Sequence, residues 1–382
     1  MKKLKVCFTG GGTGGHIYPG LAVCDELKKI CKQNEINLEL WWFGSSKGMD
    51  KNLVENNVDE NGEKSVDHFV GIPSGKLRRY FSFKNFFDIF RIFAGFVVSF
   101  FKILKIKPDI LFSKGGFVSV PPCFSAKLLK VPVFTHECDF TPGLATRLNS
   151  KSAKKILLSY KETASYFPPK IREKTVVTGN PIRPYFYLAD KKKGLDFLNI
   201  PETHEKPILL VLGGSSGALQ INNLIVENID FLTERFIVVH QTGKNFSCNI
   251  QNPSYIHFDF IYSEMKDVVK ASDIVLSRAG ANSIWECSVC AKPMVLIPLC
   301  GSGTRGDQVD NAAFFEKSGA AKVLLGKDCT SENLKKALLE ISQKENLEKF
   351  AENSKKLSEG EKPALKIASI IFSEIAEKQE IK

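Results

Sequence analysis

Five glycines within six positions, Gly10-Gly11-Gly12-Thr13-Gly14-Gly15, follow the apolar run Val6-Cys7-Phe8 and lead through His16 into an apolar-periodic segment from Ile17 to about Ile30. That order describes a buried strand, a loop with no side chains to hold a ligand away, and a helix whose first N–H groups point back at the loop. Such a unit builds a site for oxyanions.

The glycines at 10, 12 and 15 satisfy the G-x-G-x-x-G pattern, but a dinucleotide site also needs an acid closing the second strand to hold a ribose. Here the second strand, about Leu38 to Phe43, ends in Gly44-Ser45-Ser46, and Glu39 lies inside it. A nicotinamide cofactor is therefore not expected. His16 reads in two ways. A histidine at a helix start can simply cap or pack, or it can serve as a general base that the positive helix end keeps neutral.

A length of 382 residues implies two or three domains, and 43% apolar with 25% charged residues is the balance of a globular core. The ten cysteines form no framework, and Met1-Lys2-Lys3-Leu4-Lys5 leads into a strand too short for a signal peptide, which fits a reducing cytoplasm. Cys287 and Cys290 form one C-x-x-C on an expected helix with no second pair, the pattern of core thiols. Residues 1–185 carry 29 Lys and Arg against 16 Asp and Glu, a balance of +13, leaving −2 for the rest. A basic partner surface belongs to the first half.

Between Tyr80 and Lys107 stand nine phenylalanines, and from Lys76 there are eight basic residues against the single acid Asp88. The longest uncharged run, Ile92 to Phe101, is ten residues, about half of what a membrane span requires. Two uses remain: core helices on a sheet, and an interfacial surface whose rings enter lipid while Lys and Arg meet an anionic membrane surface. Single-stranded nucleic acid is a poorer fit, because the rings fall at helical spacing rather than on strands or loops. A mixed role is expected, partly core and partly membrane-facing, with no nucleic-acid partner.

Asp109 to Phe117 and Val131 to Asp139 are two further strands, each ending in a polar or glycine-rich loop. In an open parallel sheet such ends line one crevice, so Gly115, Gly116, His136, Glu137 and Asp139 are placed against the ligand of the first loop; the Thr-His-Glu run could instead satisfy local backbone. Gly179-Asn180-Pro181-Ile182-Arg183-Pro184 marks a domain boundary. After it, Pro207 to Ala218 repeats strand, glycine loop and helix, with hydroxyls at Ser215 and Ser216, so the chain reads as two Rossmann-like halves. Further strands are expected at Phe236 to His240, Tyr255 to Phe260, Asp273 to Ser277 and Pro293 to Pro298. A final amphipathic helix is expected from about Ala364 to Lys378.

The stretch Arg278-Ala-Gly280-Ala281-Asn282-Ser283-Ile284-Trp285-Glu286 is the second chemical centre. Ser283-x-x-Glu286 is a capping box, which alone would account for both residues. An Arg and a Gly at a strand end, followed by a carboxylate in the first helical turn, also suit a nucleotide, the carboxylate accepting from both ribose hydroxyls while amides and Arg oppose diphosphate charge. The sequence contains no Asp-x-Asp, so leaving-group charge falls to amides and arginine and no metal is expected.

In this order, Gly11-Gly-Thr-Gly-Gly-His16 with Pro19-Gly-Leu-Ala22, Gly115-Gly-Phe117, His136-Glu137, Gly179-Asn-Pro-Ile-Arg183, Gly213-Gly-Ser215, Arg278-Ala-Gly280, Glu286, and Gln308 with Asn311-Ala312 span nearly the whole chain. The chain resembles the MurG family of peptidoglycan synthesis, which transfers N-acetylglucosamine (GlcNAc) from UDP to the MurNAc-pentapeptide of a pyrophosphoryl-undecaprenol lipid. The resemblance implies an α/β GT-B glycosyltransferase fold with two Rossmann-like domains facing a central cleft. Residues 1–183 would form an acceptor-binding, membrane-associating domain, 184–361 a UDP-sugar domain, and 362–382 a helix returning to the first.

It further implies that UDP-GlcNAc meets Ser215, Ile261, Arg278, the turn Ala281, Asn282, Ser283, Ile284 and Trp285, the ribose acid Glu286, and Gln308, with Arg183, Asp139, Thr13, Gly14 and Gly15 approaching from the first domain. The acceptor would lie on Gly11, Gly12, Gly115, Gly116 and Phe117. His16 is the first choice for catalytic base, Glu137 the second and His136 the third. The implied reaction is inverting and needs no cofactor, and the protein would sit peripherally on the cytoplasmic face of the inner membrane. Four positions depart from the family pattern: Cys138-Asp139 stands where Gln-Asn is usual, Phe117 where Tyr is usual, and Ser216 where Gln is usual. Another lipid glycosyltransferase or a UDP-sugar epimerase of the same fold, and a non-catalytic membrane adaptor, are the alternatives. Oligomeric state stays open.

Overall fold

The computed structural model describes residues 3–59, 61–75, 83–214, 217–247, 249–301 and 304–379. They divide into two units, Met1–Arg183 with Glu361–Lys382, and Pro184–Gly360.

In the first unit, β1 (Leu4–Thr9), α1 (Gly14–Gln33), β2 (Leu38–Ser45), α2 (Asp50–Glu55), β3 (His68–Ile72), α3 (Phe83–Ile106) and β4 (Ile110–Ser113) follow in order. Then come α4 (Val120–Leu128), β5 (Val133–Glu137), α5 (Leu144–Asn149), β6 (Lys155–Leu158), α6 (Pro169–Arg172) and β7 (Thr175–Val177). The strands make one parallel sheet in the order β3-β2-β1-β4-β5-β6-β7 among the described residues. Parallel strands covered on both faces must be apolar throughout, and Val6, Cys7 and Phe8 are all buried. Strand order reverses between β1 and β4, where Thr9 stands opposite Ser113. That switch point opens a crevice at the carboxyl ends of the strands.

The second unit runs α7 (Lys191–Leu198), β8 (Ile208–Leu212), α8 (Leu219–Glu227), α9 (Ile229–Arg235), β9 (Ile237–Gln241), β10 (Tyr255–Phe258), α10 (Met265–Ala271) and β11 (Ile274–Ser277). It continues with α11 (Ala281–Val289), β12 (Met294–Leu296), α12 (Asp307–Lys317), β13 (Ala321–Val323), α13 (Ser331–Ile341) and α14 (Lys344–Leu357). Its parallel sheet has the order β10-β9-β8-β11-β12-β13 among the described residues, with its switch point between β8 and β11. Cys287 and Cys290 are buried free thiols in this core, and burial pushes the Cys290 thiol up to about 11.

The last helix, α15 (Pro363–Gln379), belongs to the first unit. Its Ile367, Ile371 and Ile375 are buried in one cluster with Ile17, Leu21 and Leu27 of α1 and with Phe8 and Phe112 of the sheet. Glu374, itself buried, accepts from Lys154 Nζ at 2.6 and 2.8 Å, tying α15 to the start of β6.

On the opposite face, Ile103 and Ile106 of α3 pack with Cys123 and Ala126 of α4 over Cys7, Phe43 and Leu111. α3 is a single helix with an unusual distribution of bulk. Its inner side holds Gly95, Ser99, Ile103 and Ile106, whereas Phe86, Ile89, Phe90, Phe93, Phe101 and Leu104 are exposed. At about 100° per residue these six fall on one stripe, and Arg91, Lys102 and Lys105, also exposed, lie round the helix from it toward the edge of the inner side. No helix among the described residues is long and apolar enough to cross a membrane. Lys76, Arg78, Arg79 and Tyr80 lie outside the described residues.

Candidate active site

In the first unit, the loop between β1 and α1 is held from three sides. Trp42 Nε1 donates to Gly10 O at 3.0 Å, which fixes the loop's first carbonyl. The Asp50 carboxylate, buried at the start of α2, accepts from Gly12 N at 3.0 and 3.2 Å and from Ser45 N at 2.8 Å. Gly12 has φ +84°, and a Cβ there would lie 2.5 Å from the Phe117 ring, so the Phe117 ring closes the third side. Thr13 is the extended residue before α1, with φ −152° and ψ 153°.

His16 sits half-buried in the first turn of α1, its N–H donating to Thr13 O at 3.1 Å. Gly115 and Gly116, just after β4, make room for its ring. A Cβ on Gly116 would lie 2.9 Å from His16 Cδ2, and one on Gly115 would lie 4.0 Å from Nδ1. The structure therefore brings Gly11, Gly12, His16, Gly115, Gly116 and Phe117 to one corner of the switch point.

The other two base candidates are more confined. His136 at the end of β5 is fully buried and its Nε2–H donates to Gly179 O at 3.0 Å. Burial first, and then the Lys114 charge, hold its pKa well below the usual histidine value, so the ring is neutral. Glu137 is buried and both its oxygens are engaged, Oε1 accepting from Asp139 N at 3.0 Å and Oε2 from Gly143 N at 2.9 Å. Those bonds shape the β5–α5 turn. Glu137, Cys138 and Asp139 offer ligand atoms within 4.8 Å of one another, but the Glu137 oxygens are already committed to backbone. Arg183 lies over the Tyr18 ring at 5.8 Å, a cation–π contact that places it beside α1.

In the second unit, Gly213 and Gly214 follow β8, and Ser215 and Ser216 lie outside the described residues. Gln241 at the end of β9 organises this corner. Its Nε2 donates to Gly214 O at 3.4 Å and its Oε1 accepts from Ile261 N at 2.9 Å. Ile261 and Ile284 are buried side chains, so any contact they make with a ligand is through backbone. Arg278 Nη1 donates to Gln220 Oε1 at 2.9 Å and to Ile297 O at 3.0 Å, tying the strand end to α8 and to β12.

α11 begins at Ala281 with Gly280 as its N-cap, in extended geometry. Ser283 is thus inside the first turn and the capping-box reading of Ser283 and Glu286 fails. Glu286 stands buried one turn further on, and Trp285 packs edge-on against Phe315 at 5.3 Å. Gln308 Oε1 accepts from Leu299 N at 2.9 Å, and Asn311 Nδ2 donates to Ala279 O at 3.2 Å, so α12 props the loops after β11 and β12.

Three residues that shape these corners carried no sequence signal of their own: Asp50, Gln241 and the buried Lys114. Asp50 sits five residues past a strand end, and only its two amide partners reveal its role.

Chemically, each unit offers glycine-rich backbone and a helix N-terminus at a switch point, which suits phosphate groups. Only the first adds a partly accessible imidazole beside the loop.

The glycosyltransferase family 28 N-terminal domain matches residues 6–158 and the family 28 C-terminal domain matches residues 208–367. The chain is 48% identical to the UDP-N-acetylglucosamine–N-acetylmuramyl-(pentapeptide) pyrophosphoryl-undecaprenol N-acetylglucosamine transferase of Treponema denticola, over 98% of this chain and 99% of that one. Among solved structures it resembles MurG of Acinetobacter baumannii, with TM-score 0.72 and 20% identity over 97% of this chain and 99% of that one. The UDP-GlcNAc 2-epimerase of Neisseria meningitidis has the same fold at TM-score 0.62 and 16% identity, covering 99% of this chain and 100% of that one. Fold alone therefore does not separate transferase from epimerase, whereas full-length identity does. The two doubly wound parallel sheets are those of the GT-B glycosyltransferases, and the chain belongs to the family 28 enzymes named UDP-N-acetylglucosamine–N-acetylmuramyl-(pentapeptide) pyrophosphoryl-undecaprenol N-acetylglucosamine transferases.

Proposed function

We propose that this chain transfers GlcNAc from UDP-GlcNAc to the C4 hydroxyl of the MurNAc-pentapeptide of undecaprenyl-pyrophosphoryl lipid I, giving lipid II. The observation that carries the reading is the 48% identity to the Treponema denticola transferase over 98% of the chain. The acceptor's pyrophosphate lies on the first unit's glycine loop with Gly115, Gly116 and Phe117. The donor's UDP lies on the second unit, its ribose hydroxyls on Glu286 and its phosphates on the Gly213–Gly214 loop, Ser215 and the start of α11.

His16 accepts the proton of the C4 hydroxyl as that oxygen attacks the anomeric carbon, and the bond to UDP breaks with inversion. Charge leaving on the β-phosphate is met by helix N-terminal amides without a metal. Burial and spent hydrogen bonds make His136 and Glu137 poorer bases, and they hold the β5 turn instead. The stripe of Phe86, Phe90, Phe93 and Phe101 on α3 rests on the anionic cytoplasmic surface of the inner membrane, where the lipid acceptor is presented, with Arg91, Lys102 and Lys105 exposed elsewhere round the same helix. The deciding experiment is incubation with UDP-GlcNAc and a short-chain lipid I analogue, read by mass spectrometry. A mass gain of one GlcNAc on the lipid is expected. Free GlcNAc or an epimerised UDP-sugar with unchanged lipid would refute the assignment.

A further inference from the structure

Lys114 follows β4 at the switch point of the first unit, its N–H donating to Thr9 O at 2.8 Å. The side chain is buried, with 1% exposure, and its Nζ has no hydrogen-bond partner among the described residues. Lysine is almost never this buried without a partner, because the desolvated ammonium needs a counter-charge. Two glycines leave space for it: a Cβ on Gly10 would lie 3.3 Å from Lys114 Cβ, and one on Gly20 would lie 3.7 Å away. The same Gly10 position abuts His16 O. The base of the lysine side chain thus packs against the glycine loop and against Gly20 of α1.

Two more buried polar atoms on the neighbouring strand end, Thr135 Oγ1 and His136 Nδ1, also have no hydrogen-bond partner among the described residues. His136 feels the lysine as a positive charge and stays neutral. Two buried carboxylates at the strand ends of this unit are committed to backbone, Asp50 to Gly12 and Ser45, and Glu137 to Asp139 and Gly143. With Asp139 they would repel an incoming diphosphate unless a cation offset them. A lone charge held at the point where two phosphate-binding loops meet has a use when an anion arrives.

We propose that Lys114 supplies the buried positive charge that offsets the pyrophosphate of the lipid acceptor at the β1–β4 switch point. This rests on the reading that the first unit receives that acceptor. It adds a residue that discriminates charged from uncharged acceptors and that is kept at a cost to the empty protein.

The test compares Lys114→Met and Lys114→Arg with wild type in the full chain. Each is titrated with inorganic pyrophosphate in the presence of saturating UDP, and each is assayed for lipid-acceptor KM, UDP Kd and Tm. Lys114→Met should weaken pyrophosphate binding and raise acceptor KM by about tenfold or more, the equivalent of about 1.4 kcal/mol. UDP Kd should stay within about twofold, Tm should be unchanged or higher, and Lys114→Arg should recover part of the affinity. Pyrophosphate Kd and acceptor KM within about twofold of wild type would overturn the proposal. So would no pyrophosphate binding by wild type, or a lowered Tm with acceptor KM and UDP Kd rising together. If wild type transfers no sugar, the functional reading falls separately, and the pyrophosphate titration still judges Lys114.

Discussion

Replacing Asp50 by alanine tests whether the first glycine loop is shaped from outside itself. The carboxylate serves two amides, Gly12 N at 3.0 Å and Ser45 N at 2.8 Å, and it is 1% exposed. Hydrogen bonds to a charged acceptor are worth roughly 1.5–3 kcal/mol each, and a buried donor left unmatched costs about 1–3 kcal/mol. Ser45 is buried and should bear the full penalty, about 2 kcal/mol. Gly12 is half-exposed and can turn to water, so it adds about 1 kcal/mol. Asp50→Ala should therefore destabilise the first unit by about 3 kcal/mol, and Asp50→Asn, which keeps one acceptor oxygen, by about half as much.

Hydrogen exchange read by mass spectrometry can localise the loss. Peptides covering residues 8–16 and 40–47 should lose protection, whereas those of the second unit should not. Acceptor KM should rise while UDP Kd holds, since UDP is assigned to the other unit. Stability within about 0.5 kcal/mol of wild type, the ordinary range for an inconsequential surface change, with unchanged exchange at both peptides, would show that the loop holds its shape without the carboxylate.

Four further outcomes follow from the same geometry. His16→Ala should cut kcat by about 10²- to 10⁴-fold with folding intact, and initial rates within a few-fold of wild type would remove it as base. Glu286→Ala should weaken UDP by about 10- to 100-fold, the loss of hydrogen bonds to a charged group; an unchanged Kd by calorimetry would leave the ribose without its partner. His240 is buried between Tyr255 Oη at 3.0 Å and Asn222 Oδ1 at 3.1 Å, and burial lowers its pKa to about 4. The unfolded chain takes up a proton near pH 6.5 and the folded one does not until about pH 4, so the second unit should lose about 1.4 kcal/mol per pH unit across that window as pH falls. Exchange in β9 peptides corrected for intrinsic rate should show this slope, and His240→Gln should flatten it. Phe90→Ser with Phe93→Ser should reduce partition onto anionic vesicles about tenfold or more, each ring being worth roughly 1.5–3 kcal/mol when buried; equal sedimentation with vesicles would rule out the α3 stripe.

Much of this was legible in the residues because parallel α/β units announce themselves by apolar runs that break into glycine. β1, β8 and the loops after them needed no tertiary information. β7 and β13, three residues each and broken up by charged or polar neighbours, were invisible, whereas the equally short β12 was legible inside the apolar run Pro293 to Pro298. The capping-box reading, one of the two open for this stretch, would start the helix at Ser283, whereas it starts at Ala281; both Gly280 and Ser283 are acceptable caps, so pattern alone does not choose. α3 was ambiguous for a different reason: both of its faces are apolar, so periodicity could not say that the small residues turn inward and the rings outward. Asp50 and Lys114 were silent because their significance lies in partners, present or missing, that are distant in sequence.

The helix at the end of the chain has a bearing on how the protein is made. Ile367, Ile371 and Ile375 complete the hydrophobic interior of the first unit, yet they leave the ribosome only after Pro184–Gly360 has been translated. At roughly 5–20 residues per second, the nascent amino-terminal half carries an open greasy groove for about 10–35 s. A prematurely terminated polypeptide never closes it, which hands chaperones and proteases a direct means of recognising incomplete copies.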